Sequence, residues 1–314
     1  MPIFTGRRPP RPRLAPELDD KELGRVLKSL ADPHGFPLPG IQVHVISSLV
    51  AESGENWDRR AHRLSVLATC LPNASLAASW LTRAPNSADA MILHSRMALR
   101  DAKATGTAPD ESGILEDCYQ AVRLRPEDPA PWVLILSLMR MQQRPLQQVR
   151  TIWQEIVARD PWHREAHLEM LGYLSPAEQG SHMAALDFID SRLSQMPAGA
   201  PSSGLRLTAE VQRYQRNVRR GGLNEIIASS HWNTQDVAST LDKAQNYWLQ
   251  PGFLRYAAAV ADLNVLTFAL VASRRFTEAA AAFRAVRGLV TPWPWHIQRN
   301  PVEAFASWQT RCWR

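Results

Sequence analysis

The sequence predicts an all-α protein, a right-handed α-solenoid of stacked antiparallel helix hairpins. Three observations carry that expectation. Short proline phrases recur: Ala84-Pro-Asn-Ser-Ala88, Arg125-Pro-Glu-Asp-Pro129 and Asp160-Pro-Trp-His-Arg164. Pro126, Pro161 and Pro197 lie 35 and 36 residues apart, close to the ~34-residue period of helix-turn-helix repeats. Nearly every segment between turn signals has apolar residues at helical spacing, and none alternates strictly.

The phase agrees with the spacing. Six residues after Pro85, Pro126 and Pro161 come Met91, Trp132 and His167, a large side chain early in each first helix. Ahead of each proline runs a small or apolar ladder: Ala77, Trp80 and Leu81; Cys118, Ala121 and Val122; Trp153, Ile156 and Val157. Steps of three and four place each set on one helix face. Trp132 and Trp153 are therefore expected to lie buried between the two helices of one hairpin.

Taken in order, residues 1–16 hold five prolines and Arg7, Arg8, Arg11 and Arg13, and read as a disordered basic arm. Asp19-Asp20 opens a helix with Leu23, Val26, Leu27 and Leu30 on one face, stopped by Asp32-Pro33. A Pro/Gly-rich loop, His34 to Gly40, precedes a helix from Ile41 to Ala51. The repeats follow, with helices near 57–70, 73–83, 87–103, 111–124, 130–142, 146–159, 163–174 and 179–196. Residues 17–197 form the first helical region, and Ala198 to Gly204 reads as a linker. The C-terminal region, 205–314, packs on the first. It begins with a helix ending at Gly221-Gly222 and continues near 223–230, 235–249, 253–273 and 276–290. Trp293, Trp295, Trp308 and Trp313 form an aromatic cap over the last hairpin, as a solenoid end requires.

Ala166-His-Leu-Glu-Met-Leu-Gly-Tyr-Leu-Ser-Pro, followed by Gly180-Ser-His-Met-Ala-Ala-Leu-Asp-Phe-Ile, resembles a hairpin of bacterial tetratricopeptide-like proteins with an uncharacterised helical domain. The likeness covers about thirty residues closely and about a hundred loosely. Ala177-Glu178-Gln179 stands where such members carry an aromatic residue and a second glycine. The resemblance implies a fold and no activity.

Composition bounds the rest. The 314 residues are 45% hydrophobic, enough for a folded chain with a sizeable core. A net charge of +6 and pI near 9.6 invite a nucleic-acid reading. However, four of the 36 basic residues are lysine and 32 are arginine, a skew that points to a GC-rich genome. Cys70, Cys118 and Cys312 are odd in number and far apart, as expected of buried free thiols in a reducing cytoplasm. The N-terminus has no apolar stretch after its arginines and is no signal peptide. Phe253 to Val271 is the most apolar run, but Arg255, Asp262 and Asn264 interrupt it, so a buried helix is expected and no membrane partner.

No motif for a reaction is present. The phosphate-cradling glycine loop, the nucleophile elbow and the dinucleotide fingerprint are all missing. His163-Arg-Glu-Ala-His167 has metal-like spacing, but Glu165 does not directly follow the first histidine. No enzyme activity, metal or cofactor is expected. The expected function is binding of a protein or peptide in a groove by His62, Arg96, Arg100, Ser137 and Arg140, polar positions on first helices. Arg96 and Arg140 would hold one carboxylate or phosphate between them, unless acidic neighbours such as Asp89, Glu116 or Glu165 take them. The alternative is an anionic ligand or nucleic acid on the stripe Arg206, Arg213, Arg216, Arg219 and Arg220, aided by the N-terminal arm.

Overall fold

A computed structural model describes residues 9–32, 38–222, 228, 230–297 and 300–313. Among them the protein is all-α, with sixteen α-helices packed largely as sequential pairs and one two-residue strand pair. The chain divides into two compact units, Asp20–Met196 and Met1–Asp19 with Pro197–Arg314. The loop at 33–37, most of the helix expected near 223–230, and residues 1–8 of the arm lie outside the described residues.

The first unit holds α1 (Lys21–Ala31), α2 (Pro39–Ala51), α3 (Trp57–Cys70), α4 (Ser75–Arg83), α5 (Ala88–Thr105), α6 (Glu111–Leu124), α7 (Ala130–Met141), α8 (Leu146–Arg159), α9 (Arg164–Tyr173) and α10 (His182–Leu193). Short polar side chains start many of these helices. Asp20, Asn56, Ser87, Asp110 and Ser181 each accept a hydrogen bond from a backbone N–H of the first turn, a group with no partner inside the helix. Gly106 ends α5 in the left-handed region, which glycine enters without strain.

Two packing directions run through this unit. α5 packs on α6 and α7 on α8, each as a hairpin, while α3 packs on α5, α5 on α7 and α7 on α9. The core between them includes Leu64, Leu67, Met91, Ile92, Met97, Leu134 and Ile156, all essentially buried. Arginines tie the helices together at their polar ends. Arg60 lies buried between Asp89 of α5 (Nε to Oδ1 2.6 Å) and the fully buried Asp128 (Nη1 to Oδ2 2.6 Å), and Asp128 also accepts from Ala130 N at the start of α7. Arg63 joins the Asp20 cap of α1 (2.8 Å) to the Leu49 carbonyl of α2.

The tryptophans depart from the expected register. Trp132 is half-buried, edge-on to Tyr119 of α6, with the Arg159 guanidinium 5.0 Å above its ring. Trp153 is partly buried and meets His167 (5.0 Å) and Phe188 (5.4 Å), so it also packs on the following helices. The ladder positions were rightly placed on one face.

The second unit contains β1 (Arg13–Leu14), α11 (Leu205–Arg220), a 3-10 turn (His231–Asn233), α12 (Gln235–Trp248), α13 (Ala259–Ala272), α14 (Phe276–Val286), β2 (Leu289–Val290), α15 (Pro292–Trp295) and α16 (Pro301–Cys312). α13 is the buried helix expected in the apolar run, and α11, α12 and α14 pack on it. It starts at Ala259, six residues later than expected, because residues 253–258 run as bends and turns. Its Asn264 is buried and well partnered. The side chain donates to the Val260 and Leu289 carbonyls and accepts from Trp295 Nε1 at 3.0 Å.

The arm and the end of α14 correct the sequence reading. A helix to residue 290 is not formed, because Arg287 and Gly288 both adopt positive φ and end it at Val286. Leu289–Val290 then pairs in parallel with Arg13–Leu14, Arg13 N donating to Gly288 O and Ala15 N to Val290 O, both 3.0 Å. Residues 13–16 are thus not a disordered arm. A side chain at Gly288 would lie 2.9 Å from the Arg11 carbonyl, so glycine permits this approach. The division into units falls at Met196–Pro197, and 198–204 belongs to the second unit, where Ala200 and Ser202 are buried and a Cβ on Gly204 would strike the Asp262 carboxylate.

Candidate functional site: a cavity lined by alternate helices

A cavity of about 470 Å³ opens in the first unit, lined by every second helix. Ser65, Ala68 and Thr69 come from α3, and Arg96, Leu99, Arg100 and Lys103 from α5. α7 supplies Leu134, Ser137, Arg140 and Met141, with Gln143 just beyond it. Glu165 and Glu169 project from α9, and Glu178 follows that helix. On α5 and on α7 the lining residues are spaced by three or four, so one face of each helix serves the cavity.

Four of the five groove residues chosen from sequence therefore meet here: Arg96, Arg100, Ser137 and Arg140. His62 does not line the cavity. It shares the α3 face with Ser65 and Thr69 but sits two turns before Thr69, about 10 Å along the axis, and its charge acts on Asp20.

The arginines are committed to the protein itself. Arg96, buried, grips both carboxylate oxygens of Glu165, Nη2 to Oε2 at 2.7 Å. Burial alone would push this guanidinium down, but the Glu165 carboxylate outweighs it and holds Arg96 above its ordinary value. Burial likewise pushes Glu165 up, and Arg96 reverses that to hold the carboxyl below the usual range. Arg140 joins Glu169 (2.9 Å) and Glu178 (Nε to Oε2 2.7 Å), which overcome its burial and raise it. Arg100 donates to the Ala68 and Leu71 carbonyls, both 2.6 Å, satisfying groups at the C-terminal end of α3 that have no helical donor. The expected joint grip of Arg96 and Arg140 on one ligand anion is thus filled by Glu165, Glu169 and Glu178.

Two glycines make this possible. A Cβ on Gly172 of α9 would lie 2.2 Å from the Arg140 guanidinium, so that side chain can cross α9 only because residue 172 is bare. At Gly180 a Cβ would strike the Leu174 carbonyl at 2.0 Å, fixing the turn that carries Glu178 back over the cavity.

Ser65, Lys103, Ser137 and Gln143 remain. None has a side-chain hydrogen bond or ion pair among the described residues, and Lys103 is exposed. Sequence reasoning found only Ser137 of these four. Lys103 was legible, lying at i+3 and i+7 from Arg100 and Arg96. Gln143 takes its position from a positive φ of 54° after α7, which no spacing rule signals.

No family model matches the chain, and no curated protein or solved structure matches it either.

The other candidates fall elsewhere. His163 caps α9, its Nδ1 accepting from Ala166 N, while His167 is enclosed by Trp153, Trp162 and Phe188. No group of three or more potential metal ligands occurs among the described residues. Nor is any described helix long and apolar enough to cross a membrane. Cys118 and Cys312 are buried, and burial pushes the Cys118 thiol up to about 12, but Cys70 at the end of α3 is exposed and not a buried thiol as expected.

Proposed function

We propose that Asp20–Met196 is a tetratricopeptide-like right-handed array in which α3, α5, α7 and α9 are the first helices of successive hairpins. Their shared face binds an extended segment of a protein partner, and the chain acts as a non-enzymatic adaptor. One observation carries this reading: four alternate helices deliver side chains to one cavity, and the polar groups there with no partner among the described residues are Ser65, Lys103, Ser137 and Gln143. Hydroxyl, amide and ammonium groups spread over several helices suit the repeated donors and acceptors of a peptide backbone, with Lys103 placed for an acidic side chain. The ion-paired arginines and glutamates form a rigid wall that does not have to be desolvated afresh when a ligand arrives.

The test is selection from a displayed peptide library, followed by affinity measurement on wild-type protein and on Ser65→Trp and Ser137→Trp. Both substitutions fill the cavity without removing an ion-pair partner. Peptides that bind wild-type and lose at least about tenfold affinity, ~1.4 kcal/mol, on each variant support the groove. Selected peptides that bind all three proteins equally would refute it, and so would a selection that yields none.

A further inference from the structure

The arginines of α11 are arranged differently from those of the cavity. α11 buries Leu205, Leu207 and Val211 in the core of the second unit. At 100° per residue, Arg206, Arg213, Arg216 and Arg220 fall within about a quarter-turn, with Arg219 beside them. Arg206 has a carboxylate in reach, Glu210 Oε1 at 3.5 Å. Glu210 also lies within electrostatic reach of Arg213, while Arg216, Arg219 and Arg220 form no ion pair among the described residues. Burial, then Arg220, Arg213 and Arg219, hold the Arg216 guanidinium below its ordinary value, and no acid among the described residues offsets them. The C-terminal end of a helix favours cations, but positive charges three and four apart repel one another.

Charge is also divided unevenly along the chain. Residues 1–19 and 197–314 hold 18 Lys and Arg against 9 Asp and Glu, a net of +9. Residues 20–196 hold 18 against 21, a net of −3. The cationic character of the protein therefore belongs to the second unit, and its densest point is the end of α11. Such asymmetry is a physical signature of a polyanionic partner.

We propose that Arg213, Arg216, Arg219 and Arg220 form a site for the phosphate backbone of double-stranded nucleic acid, bound without reading its sequence. Each guanidinium can meet two phosphate oxygens at once. The row from 213 to 220 spans about 10 Å of helix. A duplex presents about six phosphates over the same length of its axis, enough to occupy four arginines. Single strands are gripped by aromatic side chains on which bases stack, and this face of α11 offers none. No large apolar side chain of α11 is exposed, so nothing there would enter a bilayer. This site is independent of the groove.

The experiment is fluorescence anisotropy of the full chain with a mixed-sequence duplex of about 20 base pairs, the span of roughly two helical turns. Affinity should fall roughly 10²-fold between 50 and 200 mM salt, as follows from counterion release when four phosphates are neutralised. The triple variant Arg213→Gln, Arg216→Gln, Arg220→Gln should bind more weakly and lower the log–log salt slope by about 3. A control triple, Lys243→Gln, Arg255→Gln, Arg287→Gln, removes the same charge from exposed positions of the same unit and should leave the slope unchanged. Should the first triple fail to fold by circular dichroism, Arg219→Gln with Arg220→Gln, both exposed, should lower the slope by about 2. Absence of duplex binding at 50 mM salt would overturn the proposal. Equal losses in the two triples, or preference for a single strand or for phosphatidylserine vesicles over the duplex, would do so as well.

Discussion

Protonating His167 would place an N–H with no acceptor inside an aromatic enclosure. Its Nδ1 bonds to the His163 carbonyl at 2.9 Å, its Nε2 has no partner among the described residues, and burial pulls its pKa down to about 4. The unfolded chain binds this proton near pH 6.5 and the folded one only near 4. Stability is therefore full above about 6.5 and falls as pH drops through that window. At pH 5 the loss should be about 2 kcal/mol. Glu165 acts in the same direction at lower pH, since its folded carboxyl lies below the usual range and its ion pair is lost as pH falls through that value. Melting His167→Phe and wild-type at pH 7 and pH 5 checks this. The variant should lose less on acidification, and equal losses would mean that His167 is not the group responsible. At the same scale, Arg60→Ala should cost about 3–5 kcal/mol in urea melts, because Asp128 would remain buried with its countercharge gone.

Among the elements, helix positions followed directly from the sequence where caps and apolar spacing agreed. α3, α6 and α8 occupy the expected 57–70, 111–124 and 146–159. What a helix face touches was less legible. Trp132 and Trp153 have the right period, but whether a face meets its own hairpin or the next depends on inter-helix geometry, which has no local code. Trp132→Ala should accordingly cost about 2 kcal/mol, less than the ~3–5 of a fully enclosed aromatic, as a thermal melt would report. The docking of Arg13–Leu14 was hidden for a related reason, since parallel pairing across some 275 residues leaves no sequence signal. Ala15 and Leu18 are buried with it, so removing residues 1–16 should lower the melting temperature of the second unit. The cavity was largely readable, because polar residues on apolar first helices must project somewhere. Their charge partners were not, because Glu165, Glu169 and Glu178 reach them only through the spacing of separate hairpins. Gly172 shows how fine that control is. Gly172→Ala would displace the Arg140 guanidinium from Glu169 and Glu178 with little change in helix content.

For the whole molecule, the division into two units assigns two kinds of surface to different parts of the chain. One unit carries slightly more acid than base and holds a polar cavity whose arginines are neutralised from within. The other is strongly cationic and leaves Arg216, Arg219 and Arg220 at the end of α11 without an ion pair among the described residues. An adaptor that joins a protein segment to a polyanion would need both. The peptide groove is the central claim, and amide hydrogen exchange with and without a saturating selected peptide tests it most directly. Slowed exchange should appear in the cavity-facing turns of α3, α5, α7 and α9, around Thr69, Arg100, Ser137 and Glu169, with α4, α6 and α8 unchanged. Protection confined to the second helices, or to the unit containing α11, would contradict it.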